Sequence, residues 1–389
     1  MGSDDWVVGG IRIVTSTGIC EDGYVWVHNG VIRELGSGPA PLAAPSPFAD
    51  PRAAWLVPGF VDMHVHGGDG ADVMDGKPES VERIGRFHAS HGTTAWLPTT
   101  LTASADRLLQ ALDAVHEVRQ RRWQGPTILG VHLEGPFIAP SRRGAQNPEH
   151  IVDPSVPLAE SLLARVPGLV RSMTLAPERP GARELIEWVC RQGVLASMGH
   201  TDCDSDTARA AIQQGVRQAT HLFNGMRGLH HRQGGPVAQA LLDERVVCEL
   251  IADGQHVDWD VLRLVVKVKG ADGVALITDA MAAAGRPDGE YELGGLPVSV
   301  HDGRACLAGS DQLAGSTLTM DQAVRNMAVK VGVGLLDAVR MASTTPARQL
   351  GLSHRKGDIR PGMDADLVLL DESLSVLATW VGGERIFQR

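Results

Sequence analysis

Eight short apolar runs recur through the middle of this chain, near residues 59–65, 93–99, 127–133, 171–175, 194–199, 218–221, 246–251 and 274–278. Between them lie amphipathic stretches such as 105–122, 182–192, 204–214 and 258–269. Strands whose apolar residues run on continuously, without alternation, belong to a parallel sheet buried on both faces, and parallel neighbours need long crossovers. Eight such units predict an α/β fold, a closed (β/α)8 barrel of the TIM type. The competing architecture is an open, doubly wound sheet. It requires a Gly-rich dinucleotide turn after an early strand, and Gly67-Gly68-Asp69-Gly70 lacks that spacing.

The flanks read differently. Segments 6–14, 24–28 and 31–34 look like β-strands, with Asn29-Gly30 as a hairpin turn, and a Pro/Ala-rich linker, 39–51, follows. Three more β-like segments, 366–370, 376–381 and 385–387, close the sequence. Each flank is too small to bury a core alone. They are expected to combine into one small β-sandwich domain, 1–56 with 356–389, beside a catalytic barrel of 57–355. Residues 289–307 read as a β excursion after the last barrel strand, with His301-Asp302-Gly303 at a turn.

Composition narrows the function classes. Hydrophobic residues make up 43% of the 389, an ordinary globular share, and no run approaches the roughly 18 apolar residues that span a bilayer. Asp4 and Asp5 stand where a secretory leader carries basic residues, so a cytoplasmic enzyme is expected, with no membrane partner. Five cysteines, odd in number and without a Cys-x-x-Cys pair, argue against a disulfide framework or a zinc knuckle. A formal charge of −10, with no basic run beyond 119–122, repels nucleic acid and leaves any anionic small substrate to a few local cations. The eight Trp are scattered and form no stacking platform.

Five of the apolar runs end in a His or an acid: His64 and His66, Glu134, His200, His221 and Asp279. On a barrel these tips share the C-terminal rim, where catalytic residues of the fold sit. His64 and His66, two apart on a strand, point to the same face. Gly135-Pro136 turns the chain just past Glu134. Imidazole and carboxylate without thiolate suit Zn²⁺ or Fe²⁺ with a position left for water. Asp279 is read as the proton shuttle beside that metal, its alternatives being another ligand or the N-cap of the following 280–284 stretch. His88, His91, His116 and His150 are read as helix-surface, helix-end or exposed residues.

The segment from Pro58-Gly59-Phe60 through His64-Val65-His66-Gly67, with Gly357-Asp358-Ile359 and Gly362-Met363-Asp364-Ala365-Asp366, resembles the amidohydrolase superfamily. More specific are His132-Leu133-Glu134-Gly135-Pro136-Phe137, Gly199-His200-Thr201 and Thr220-His221-Leu222-Phe223-Asn224-Gly225-Met226. With Thr278-Asp279-Ala280-Met281 and Leu313-Ala314-Gly315-Ser316, they resemble the N-acetylglucosamine-6-phosphate deacetylase family over essentially the whole chain. The resemblance implies hydrolysis of the acetamide of N-acetylglucosamine 6-phosphate. It also implies a barrel with a flanking β-sandwich and a homodimer.

By the same resemblance, Glu134, His200 and His221 are the recurring metal ligands. His64 and His66 support a second metal that Glu134 can bridge, giving one or two divalent ions per subunit, Zn²⁺ first, with Fe²⁺ or Mn²⁺ as alternatives. Asp279 corresponds to the acid–base residue. Ala145, Asn224, Gly225 and His256 fall near the substrate, and Leu313, Ala314 and Gly315 line the sugar. Arg232 meets the phosphate, reaching across the dimer into the neighbouring active site. One departure is visible. The family pattern places a substrate-contacting His where this chain has Gln146 in Gly144-Ala145-Gln146-Asn147. Glutamine donates a neutral hydrogen bond but does not titrate near neutral pH.

Rival readings are a deacetylase for the galactosamine epimer, a cyclic amide hydrolase, and a non-catalytic sugar-phosphate sensor. Cyclic amide hydrolases commonly bridge their metals with a carboxylated lysine, and no lysine falls on any expected barrel strand. The ligand set that a sensor tends to lose is complete here.

Overall fold

The computed structural model describes residues 5–39 and 50–389. Most of the expected linker lies outside the described residues. All eight expected barrel strands are present: Phe60–Val65, Thr93–Thr100, Val131–Glu134, Val170–Leu175, Leu195–Met198, Gln218–Ala219, Val247–Ile251 and Val274–Ile277. They pair parallel in chain order. The seam closes at the upper end, where the Asp279 N–H donates to the His64 carbonyl at 2.9 Å and the His66 N–H to the Ala280 carbonyl at 2.9 Å. Every residue of the first, second, third, seventh and eighth strands is buried, the physical counterpart of their unbroken apolar runs.

One expected strand is split. Thr127–Ile128 pairs with the second strand, and the ladder resumes only at Val131. Gly130, at φ 154°, lies between them, and a Cβ there would meet the Leu169 carbonyl oxygen at 2.5 Å. The chain can pass Leu169 that closely only without a side chain.

Helices Pro78–Ala89, Ala105–Gln120, Ala182–Arg191, Ser205–Gln214 and Trp259–Lys269 clothe the barrel. Asp204 and Asp258 cap two of them by accepting from Thr207 N–H and Asp260 N–H. The excursion forms a three-stranded antiparallel sheet, Gly289–Leu293, Leu296–His301 and Arg304–Leu307, with Asp302 and Gly303 at positive φ in the last turn.

Both flanks join one seven-stranded sheet. Its order is Glu384–Gln388, Val376–Val381, Leu367–Asp371, Ala53–Pro58, Asp5–Thr15, Gly18–His28 and Val31–Ser37. Asn29 and Gly30 have φ of 51° and 75°, the two positive values that a two-residue hairpin needs. This sheet has its own core, including Ile13, Val25, Leu56, Leu367 and Trp380. Strand Ala53–Pro58 carries the chain across the expected boundary at 56–57 and straight into the first barrel strand through Gly59. A Cβ at Gly59 would meet the Thr94 hydroxyl at 2.0 Å.

Candidate metal centre and active site

The side chains of His64, His66, Glu134, His200, His221 and Asp279 converge at the C-terminal end of the barrel. Glu134 is central. Its Oε1 lies 2.9 Å from His221 Nε2 and 3.1 Å from His200 Nε2, and its Oε2 lies 3.2 Å from His66 Nε2. Asp279 Oδ1 is 3.1 Å from His66 Nε2 and 3.5 Å from His64 Nε2. Two adjacent donor groups result, Glu134–His200–His221 and His64–His66–Asp279.

His200, His221 and Asp279 sit at φ 47°, 30° and 50°. Side chains other than glycine disfavour that region by about 1–3 kcal/mol, so three strand tips are held in strained turns that aim them inward. Hydrogen bonds pin these turns: the His221 N–H donates to Glu249 Oε2 at 3.2 Å, and Ala139 N–H donates to the His200 carbonyl at 2.9 Å.

Three imidazoles have their tautomer set from behind. Nδ1–H of His64 donates to Glu249 Oε2 at 3.1 Å, that of His66 to the Thr99 carbonyl at 3.2 Å, and that of His200 to the Arg142 carbonyl at 2.8 Å. A carboxylate or carbonyl can only accept, so each ring carries one proton on Nδ1 and keeps Nε2 for a second proton or a metal. These Nε2 atoms face carboxylate oxygens, and among the described residues the buried Asp279 Oδ1 has no hydrogen-bond partner. Without a proton or a metal between them acceptor would face acceptor, and an all N/O donor set fits a divalent metal.

The electrostatics agree. Burial disfavours charge on His66, but Asp279 and Glu134 outweigh it and hold its pKa up at about 9. Burial likewise opposes charge on His64, and Glu134 and Asp279 again win, raising it well above the ordinary value. On Asp279 burial is overcome by His64 and His66, which bring the carboxyl down to about 2. A proton or a metal can satisfy these carboxylates, and the two compete.

Above these side chains opens a cavity of about 280 Å³. Ala145, Gln146, Asn224 and Gly225 line it. So do His256, Leu313 and Gly315. His256 is oriented by Asp253, 2.6 Å from its Nδ1. Ala314 is buried behind the wall, its N–H donating to the Ala305 carbonyl at 3.1 Å. Gln146 lines the cavity with its amide engaged on both sides: Oε1 accepts from Thr102 N–H at 2.6 Å, and Nε2 donates to Glu134 Oε2 at 2.6 Å. Arg232 does not line this subunit's cavity. It is exposed on the turn from His230 to Gln233, its guanidinium donating to His231 Nε2 at 2.8 Å.

Sequence reasoning missed the layer beneath the ligands. Glu249 binds His64 and accepts from Gln218 Nε2 at 2.5 Å, while Asp62 accepts from the Thr278 hydroxyl at 2.7 Å. His132 bonds Thr174 through Nε2 at 2.7 Å, and burial, reinforced by His64, depresses its pKa well below normal. Each was signalled by a polar residue inside an otherwise apolar barrel strand. Arg304, which lines the cavity, was also missed. His88 is a correction: it is fully buried, not on a helix surface, and His116 and His150 are half-buried.

A model of the amidohydrolase family matches residues 55–386. The chain is 39% identical to the N-acetylgalactosamine-6-phosphate deacetylase of Escherichia coli O157:H7, over 96% of this chain and 97% of the relative. It is 37% identical to the N-acetylglucosamine-6-phosphate deacetylase of Bacillus subtilis (strain 168), over 97% of this chain and 96% of the relative. A solved mutant of the N-acetyl-D-glucosamine-6-phosphate deacetylase from Mycobacterium smegmatis, in complex with N-acetyl-D-glucosamine-6-phosphate, superposes with a TM-score of 0.93 at 36% identity. That match covers 99% of this chain and 100% of the other. Enamidase, at 15% identity and a TM-score of 0.60, shares the fold. The chain therefore belongs to the amidohydrolase family, in the branch of the N-acetylglucosamine-6-phosphate deacetylases.

Proposed function

We propose that this enzyme hydrolyses the N-acetyl group of N-acetyl-D-glucosamine 6-phosphate, giving D-glucosamine 6-phosphate and acetate, a step of amino sugar catabolism or recycling. The observation that carries this reading is the convergence of Glu134, His200, His221 and Asp279 under a polar cavity, in a chain alike over its full length to such deacetylases. Glu134, His200 and His221 would hold the principal divalent metal, with His64 and His66 offering a second position; Zn²⁺ is the first choice, Fe²⁺ or Mn²⁺ the alternatives. Such a cation supplies Lewis-acid activation of water and of an amide carbonyl.

Asp279 takes the proton of the attacking water and delivers it to the amide nitrogen as the C–N bond breaks, so acetate and an amine leave. His64 and His66, 3.5 Å and 3.1 Å away, keep its carboxyl ionised and able to accept. Asn224, Gly225 and His256 hold the sugar phosphate, Ala145 and the 313–315 segment border the ring, and Arg232 serves the partner subunit of a homodimer. The site set, the division into 57–355 and the terminal sheet, and a cytoplasmic location belong to this proposal. Among the described residues no helix is long and apolar enough to cross a membrane.

The N-acetylgalactosamine epimer is the second reading, favoured by the 39% identity to an enzyme of that name. Acetate release from both 6-phosphates, with Zn²⁺, Fe²⁺ and Mn²⁺ each supplied, separates the two. Asp279→Asn is expected to keep its metal and lose about 10²–10⁴ of kcat. Glu134→Ala is expected to lose the metal itself by elemental analysis. Near-native turnover of Asp279→Asn would remove it from the proton path.

A further inference from the structure

The cavity has acids at its base and rim, Glu134, Asp279 and Asp311, in a chain of formal charge −10. A phosphorylated substrate is repelled unless a cation meets it. Among the described residues that line the cavity, Arg304 is the one Arg or Lys side chain. It is exposed on the rim between the cavity and an outer depression that also includes Ser310 and Asp311. Among the described residues it makes no ion pair or side-chain hydrogen bond, so its fork is free.

The position of Arg304 is fixed by sheet register. Strand Arg304–Leu307 pairs with Leu296–His301 on one edge, His301 opposite Arg304. On the other edge Ala314 N–H donates to the Ala305 carbonyl at 3.1 Å and Leu307 N–H to the Gln312 carbonyl at 2.9 Å. The Ser316 N–H then reaches the Asp279 carbonyl at 2.8 Å. Backbone hydrogen bonds at both ends of segment 314–316 thus tie the strand that carries Arg304 to the backbone of Asp279. Arg232, by contrast, contacts only its own turn in this subunit. An acetamide placed at the metal ligands leaves the 6-phosphate on the far side of the ring, toward the rim.

We infer that Arg304 receives the substrate's phosphate from within the same subunit, as a specificity residue added to whatever the partner's arginine contributes. A guanidinium fork offers a phosphate two parallel charge-assisted hydrogen bonds, which a lysine cannot reproduce. The inference rests on the proposed sugar-phosphate reading and deepens it.

The test measures acetate release from N-acetylglucosamine 6-phosphate and from unphosphorylated N-acetylglucosamine, in wild type, Arg304→Gln, Arg304→Lys and Arg232→Gln. Inorganic phosphate serves as a competitive inhibitor. Arg304→Gln is expected to raise KM for the phosphorylated sugar about tenfold with kcat within about twofold, a loss of binding without loss of chemistry. It should weaken phosphate inhibition by a similar factor, leave the unphosphorylated sugar unaffected, and be partly rescued by Arg304→Lys. Unchanged KM and inhibition would overturn the assignment, as would equal losses on both sugars. If wild type releases no acetate, the functional reading falls by itself. Calorimetric titration of inorganic phosphate into wild type and Arg304→Gln then still decides whether Arg304 holds the anion.

Discussion

Gln146 is clamped at both ends of its amide. A backbone N–H can only donate, so the contact with Thr102 identifies the facing atom as Oε1 and turns Nε2 toward Glu134. The side chain that replaces an expected substrate-contacting His therefore braces the Glu134 carboxylate, and it does so without titrating. Gln146→Ala would leave Glu134 Oε2 and a buried N–H without this partner, at a cost of about 1–3 kcal/mol. Loss of such an outer contact typically weakens metal binding about 10–100-fold. Chelator competition on the loaded protein reads this, and an unchanged affinity would reduce Gln146 to cavity lining. The six converging side chains, His64, His66, Glu134, His200, His221 and Asp279, were legible because they sit at or near the ends of five apolar runs. The bracing role of Gln146 was not, since its two partners come from strand ends far apart in sequence.

At the level of single elements, helix Pro78–Ala89 ends on a buried imidazole. His88 Nε2–H donates to the Gly67 carbonyl at 3.0 Å, just past His66, while among the described residues its Nδ1 has no partner. Protonation would bury an N–H facing no acceptor. Burial accordingly lowers the His88 pKa from 6.5 to about 4. The unfolded chain takes up this proton near pH 6.5 and the folded chain only near 4, so the associated stability is complete above 6.5 and lost as pH falls through that window. It amounts to about 3 kcal/mol. His88→Gln retains a donor for Gly67. Its Tm should fall less than that of wild type between pH 7.5 and 5 in matched melts, and parallel pH profiles would refute this account. Here the sequence held the signal: Val81, Ile84, Gly85 and His88 share one helical face, all buried. The polar type of the residue obscured its spacing.

On the scale of the whole molecule, the barrel was readable because eight doubly buried strands cannot hide their composition. Strand order in the terminal sheet was not readable, because pairing between distant segments leaves no local periodicity. Trp380, on the C-terminal side, is 1% exposed and packs at 5.8 Å centroid distance against Trp6 of strand Asp5–Thr15. Trp380→Ala should cost about 3–5 kcal/mol, seen as a lower Tm and faster proteolysis of the sheet. An unchanged Tm would mean that the two flanks are held together elsewhere. The same sheet places strand Ala53–Pro58 between Asp5–Thr15 and Leu367–Asp371. On the ribosome, the strand that leads into the barrel therefore keeps one edge unpaired until nearly every barrel helix has emerged. That open edge is a site for pairing with a neighbour on the same polysome, so slow translation after the eighth barrel strand should favour aggregation over completion.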